Sequence, residues 1–157
     1  MKKICQCLAI LIVCLLVVPA SVSKAEPKIN TLELFLDDAF VIVNGEKCSS
    51  LESQPFIYNQ RMYSPFLLLS DFIGFRGEYN AEEKSISLIN SKTTIVMKYN
   101  FLTVIVNGKE VQIDAPYLIR YGRSVVPVRF ICETFGATVS WDPILHKATI
   151  VYEIPEN

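Results

Sequence analysis

A hydrolytic or metal centre gathers several of His, Cys, Asp and Glu, and this chain offers one histidine, His146. It falls in a polar, proline-bearing segment, residues 142–147, where a solvated loop residue is expected. A lone imidazole gives no specific Ser-His-Asp or Cys-His arrangement. The acidic pairs Asp37-Asp38 and Glu82-Glu83 could do acid–base work, but adjacent carboxylates in turns usually serve the turn, and both pairs are read as structural. The chain has no Gly-rich phosphate loop and no spaced cysteine motif, and its six glycines stand singly where turns and helix ends want them. The sequence therefore predicts no catalytic residue, no metal ligand and no cofactor.

Binding chemistry is better represented. Arg129 has Glu133 one helical turn on and Asp142 in a nearby loop, so an ion pair fixing a helix to a hairpin is the leading expectation. An exposed guanidinium that reads an acidic ligand is the alternative. Nine phenylalanines, seven tyrosines and one tryptophan supply the aromatic surface. Tyr58, Tyr63, Tyr117 and Tyr121 fall in predicted hairpins, where an exposed ring could stack on a sugar or pack against a partner. Trp141 and Tyr79 are expected to be core or half-buried packing residues and not a ligand platform.

These residues need elements to hold them, and an internal repeat organises those elements. Residues 41–47, VIVNGEK, recur as residues 104–110, VIVNGKE, 63 positions on. Arg61, Pro65, Gly74, Tyr79 and Leu88 correspond to Arg123, Pro127, Gly136, Trp141 and Ile150 at a shift of 62. The expected domains are residues 31–90 and 93–153, two tandem copies of about 60 residues. Each reads as β-hairpin, β-hairpin, short helix, β-hairpin, which is an α+β class with antiparallel sheets. Asn44-Gly45 and Asn107-Gly108 lie between β-branched runs and predict two-residue type I′ turns. Ser64 is read as a helix N-cap with Pro65 at the first helical position and Gly74 at the left-handed end. In the second copy Pro127 and Gly136 bracket the helix, with Val128, Ile131 and Phe135 on one face. Residues 90–92 read as a plain turn, so the sheets of the two copies could be continuous.

Residues 1–25 have the layout of a secretory signal: Lys2 and Lys3, an apolar run over residues 8–18, and Ser23-Lys24-Ala25 as a small-x-small exit. The run is interrupted by Pro19 and is shorter than the roughly 20 apolar residues of a spanning helix. The full chain has 15 basic and 16 acidic side chains; cleavage would remove three lysines and no acid, leaving 12 basic to 16 acidic. That mildly acidic balance argues against nucleic acid, which calls for a clustered basic face. Cleavage would also leave only Cys48 and Cys132. Two buried free thiols are expected there, a disulfide between the copies being the alternative.

The run over residues 107–153 resembles the copper amine oxidase N-terminal domain-like family, a repeat module of exported proteins of Gram-positive bacteria. The resemblance rests on Asn107-Gly108-Lys109, Ala115-Pro116, Gly122-Arg123, Val126-Pro127-Val128-Arg129, Gly136-Ala137 and Trp141-Asp142. The first copy matches more loosely: Gln60 stands for the turn glycine, Leu67 for the arginine and Tyr79-Asn80 for the Trp-Asp pair. The resemblance implies a stalk-like, non-catalytic module, without the copper or the oxidase activity of the catalytic domain. The expected function is a secreted or noncovalently surface-associated interaction or spacer module that binds a wall polymer or another exported protein. A small secreted enzyme or enzyme inhibitor is the alternative, and a structural subunit pairing through open sheet edges is a third.

Overall fold

The computed structural model describes residues 28–36, 38, 40–49 and 54–154. The proposed signal over residues 1–25 and Asp37 of the first acidic pair lie outside the described residues. The chain is mostly β with two short helices, an α+β architecture. In order it runs through β1 (Ile29–Phe35), β2 (Phe40–Val43), β3 (Glu46–Ser49), β4 (Phe56–Tyr58), β5 (Arg61–Pro65), α1 (Phe66–Ile73), β6 (Arg76–Asn80) and β7 (Ser85–Ile89). It continues through β8 (Thr94–Lys98), β9 (Thr103–Val106), β10 (Lys109–Gln112), β11 (Leu118–Arg120), β12 (Arg123–Pro127), α2 (Val128–Thr134), β13 (Thr138–Asp142) and β14 (Lys147–Glu153).

Local chemistry sets the turns. Asn44 and Gly45 have φ of 51° and 84°, and Asn107 and Gly108 have 50° and 78°, so both residues of each turn are left-handed as a type I′ turn demands. The asparagine side chains add a second function that the backbone angles do not require. Asn44 Oδ1 accepts the Thr31 N–H at 2.8 Å, and Asn107 Oδ1 accepts the Thr94 N–H at 2.8 Å, so each turn is tied to the start of the neighbouring strand.

Helix ends follow a similar logic with one correction. Gly74 has φ 84° and its N–H donates to the Ser70 carbonyl at 2.8 Å, which closes α1. Ser64 does not cap the helix. It is buried in β5 next to Pro65, which takes the N-cap position without a side-chain bond, because pairing with Val126 keeps Ser64 extended.

Strand pairing runs across the two copies read in the sequence. Three antiparallel sheets form, with orders β13-β14-β1-β2-β3, β10-β9-β8-β7-β6 and β11-β12-β5-β4. Every one of them mixes strands from residues 31–90 with strands from residues 93–153. β1 pairs with β14 over seven residue pairs, from Ile29 opposite Glu153 to Phe35 opposite Lys147. The same lateral position in the second sheet is filled by β7 and β8, joined directly by the turn at residues 90–93, where Asn90 Oδ1 accepts the N–H groups of Lys92 and Thr93. Lys147 Nζ lies 2.6 Å from Glu33 Oε1 in a half-buried pair across the β1–β14 seam.

The core sits between the sheets. Leu32 and Leu34 of β1, Leu88 of β7, Ile95 and Met97 of β8 and Ile150 of β14 are fully buried with Leu69 and Ile131 of the helices. Each such side chain contributes about 1.5–3 kcal/mol by leaving water. Phe75 and Phe135, just beyond the two helices, stack at 4.5 Å and 9°. Two helices of two turns each would not persist alone, and this shared apolar layer holds them.

Candidate functional site

A groove of about 720 Å³ opens where α2, β13 and the β4–β5 turn meet. Helix α2 supplies Val128, Arg129, Phe130 and Glu133 at its floor. One wall is Val139, Ser140 and Trp141 of β13. The other is Ile57 of β4 with Gln60, Arg61 and Met62 across its turn, and Asp114 from the segment before β11. Pro127 ends β12 and starts α2, so its fixed φ turns the chain from sheet to helix at the groove's edge.

Two ion pairs border this groove. The Arg61 guanidinium holds Asp114 through Nε at 3.0 Å and through a second contact from Nη2 to the same oxygen. That hydrogen bonding raises the Arg61 pKa and lowers that of Asp114. Arg129 Nη1 lies 3.5 Å from Glu133 Oε1, one helical turn on, with both side chains about half exposed. The pair with Glu133 is therefore present but long. Asp142 does not join it: its Oδ1 accepts the N–H groups of Ile144 and Leu145 at 2.8 and 3.0 Å, and those bonds lower its pKa. The expected tie from helix to hairpin is absent at this residue because the loop backbone has claimed the carboxylate.

The aromatic candidates separate. Tyr58 and Tyr121 are exposed, at 47% and 86%. Tyr63 and Tyr117 are fully buried and are not contact residues for a ligand. The Tyr63 hydroxyl donates to the Pro116 carbonyl at 2.9 Å, and burial pushes its pKa up to about 12. The Tyr117 hydroxyl shares a 2.9 Å bond with Ser124 Oγ, and burial raises its pKa as well. Strand alternation accounts for the split: Tyr63 points to the sheet face covered by Ala115, Phe56 and Leu118, while Met62 beside it reaches the groove. Tyr121 stands at a turn tip with the Arg120 guanidinium 5.2 Å from its ring centroid.

Trp141 and Tyr79 are not core residues. They are 38% and 50% exposed, because β13 and β6 are the outermost strands of their sheets. Residues the sequence did not single out for the groove are Ile57, Met62 and Asp114. Their approach depends on pairing between distant strands. Arg61 carried one signal, as the repeat partner of Arg123.

The other reactive groups are placed apart from the groove. His146 is exposed in the β13–β14 turn at φ 47°, and its carbonyl accepts the Leu36 N–H at 3.0 Å. Glu82 and Glu83 give their backbone N–H groups to Asn80 Oδ1 at 3.0 and 3.1 Å. Cys132 is buried in the core, which pushes its thiol pKa up, whereas Cys48 is exposed on β3; both are free. The expectation that both thiols are buried fails at Cys48, which lies on an outermost strand. Among the described residues no three of His, Cys, Asp and Glu converge as a metal site.

A mostly antiparallel α+β module with an open, mixed-charge groove is the class of protein this geometry defines. Residues 42–150 match the model of the copper amine oxidase N-terminal domain, and the chain belongs to that family. The match runs as one stretch from β2 into β14. No curated protein matches the chain. The copper in the family's name does not fit these residues, since one histidine cannot provide several imidazole ligands.

Proposed function

We propose that this chain is an exported, non-catalytic binding module of a Gram-positive cell envelope, secreted or held noncovalently at the surface. On this reading the α2–β13 groove grips another exported protein or a wall polymer. The carrying observation is the groove itself, which brings the half-exposed Trp141 and Arg129 together beside the apolar Val128, Phe130 and Val139. Apolar concavity with a few placed polar groups is what ligand sites generally offer. Export rests on the signal-like layout of residues 1–25, and the two sequence copies are read as a tandem repeat.

The test is a pull-down with the chain from residue 26 onward, which contains every described element. It is run against isolated cell walls and separately against total exported proteins. Retention by one of the two that drops at least about tenfold in Trp141→Ala and Arg129→Ala is the expected result. Equal retention of those variants and the parent would remove the groove from the reading.

A further inference from the structure

We propose that the β1–β14 seam is a self-association site: two copies of this chain exchange β1–β3, and the β1 of each pairs with the β14 of the other, whatever the groove binds.

The molecule has two seams that are alike in register and unlike in connection. Leu32 faces Ile150 and Leu34 faces Ala148 across β1–β14. Moved on by 63 positions, Leu32 and Leu34 become Ile95 and Met97; moved back by 62, Ile150 and Ala148 become Leu88 and Ile86. Those are the pairs across β7–β8. That second seam is closed by the turn at residues 90–93, where the Asn90 N–H donates to the Thr93 carbonyl at 2.9 Å and Asn90 Oδ1 accepts the N–H groups of Lys92 and Thr93. So short a connection keeps the partner strand the chain's own, because its local concentration exceeds that of any other copy. No turn joins β14 to β1, which lie at opposite ends of the described chain.

The rest of the pairing leaves β1–β3 separable. Among the described residues β1, β2 and β3 pair with one another, and β14 is the one further strand to which any of them pairs. Exchange therefore breaks one strand pairing and remakes it on the partner, with Leu32, Leu34 and Val41 returning to an equivalent core. The contacts are the same in both forms, so protein concentration decides between them. None of the groove residues lies on β1–β3, so an exchanged dimer carries two whole grooves and can hold a repetitive ligand at both.

Charge marks this seam and not the other. Lys147 Nζ and Glu33 Oε1 belong to residues 114 positions apart and meet at 2.6 Å across β1–β14. The corresponding residues at β7–β8 are Ser85 and Val96, which cannot form an ion pair.

The test uses that pair. Glu33→Lys sets two ammonium groups across the seam, and Lys147→Glu sets two carboxylates there. An exchanged dimer with one chain of each kind has opposite charges across both of its seams. The two variants, each from residue 26 onward, are unfolded in urea, mixed in equal amounts, refolded at high protein concentration and sized by light scattering. At least about tenfold more dimer is expected in the mixture than in either variant alone, because only the mixed dimer relieves the repulsion. A second arm keeps the native ion pair and does not depend on charge. Thr31→Cys and Val151→Cys chains, each also carrying Cys48→Ser, are refolded together; positions 31 and 151 face each other across the seam, so a disulfide between the two chains is expected there. Monomer throughout the charge mixture, or dimer equally abundant in the mixture and in the single variants, would overturn the exchange. So would the absence of the cross-link.

Discussion

The two helix-bearing faces of the molecule share an order of elements, strand, helix, strand, and carry different chemistry. Around α2 stand Arg129, Ser140 and Trp141; at the corresponding positions around α1 stand Leu67, Glu78 and Tyr79. The guanidinium and indole are gathered on one face only, so the difference separates what holds the fold from what distinguishes a surface. Beneath that surface the same positions show compensation. Val128 on α2 and Val139 on β13 correspond to Phe66 on α1 and Gly77 on β6. A Cβ built on Gly77 would lie 2.1 Å from Cε2 of Phe66, so the ring occupies the space that a side chain would need. One face divides the volume as medium and medium, the other as large and none.

The largest effect expected from breaking this comparison is at that pair. Gly77→Val should destabilise the protein by about 2–3 kcal/mol through overpacking, measured by urea unfolding. Phe66→Val alone should cost about 1–3 kcal/mol through the cavity it leaves. The double variant restores the Val-Val arrangement of the α2 face, so its cost should be well below the sum of the singles. Additive costs would show that the two faces do not share a packing rule.

A smaller effect tests where the faces agree. Asn44→Ala and Asn107→Ala each lose a side-chain bond to the start of the neighbouring strand and place alanine at positive φ. Each should cost about 1–2 kcal/mol, with the two values matching within error. A large disparity would show that the β1–β14 seam, which no turn joins, responds differently from the covalently joined β7–β8 seam.

The smallest effect is a pH dependence that one half carries and the other lacks. Asp142 and Asn80 hold corresponding turns, each accepting two backbone N–H groups. Those bonds lower the Asp142 pKa below its ordinary 3.8, so its folded-state pKa is depressed. Such a group contributes stability above the unfolded value, and that contribution is lost as pH falls through the folded value. Asp142→Asn should flatten the acid limb of a stability profile below about pH 4 while leaving neutral stability nearly unchanged. Asn80→Asp should steepen the same limb.

Much of the local structure was legible because it is set within a few residues. Asn-Gly imposes its turn, Gly74 closes α1, and alternating β-branched runs form strands. Gln60 was less legible: it adopts φ 61° where the corresponding residue, Gly122, is a glycine, so closure of the β4–β5 hairpin outweighs its preference. The candidate residues fared unevenly for the same reason. Arg129 and the exposed Tyr58 and Tyr121 carry side chains to solvent, while Tyr63 and Tyr117 read alike in sequence and are buried, Tyr63 with Ala115 and Val125 and Tyr117 in the main core.

The sequence by itself determined the turns, the two helices, the α+β class and the family motifs, since each depends on neighbours along the chain. Only the tertiary structure decided which strands pair, which face of each strand is covered, and that Trp141, Arg129 and Arg61 border one groove. Those outcomes follow from burying apolar faces contributed by segments more than a hundred residues apart, as β1 and β14 are. No window of local sequence contains both partners of such a contact.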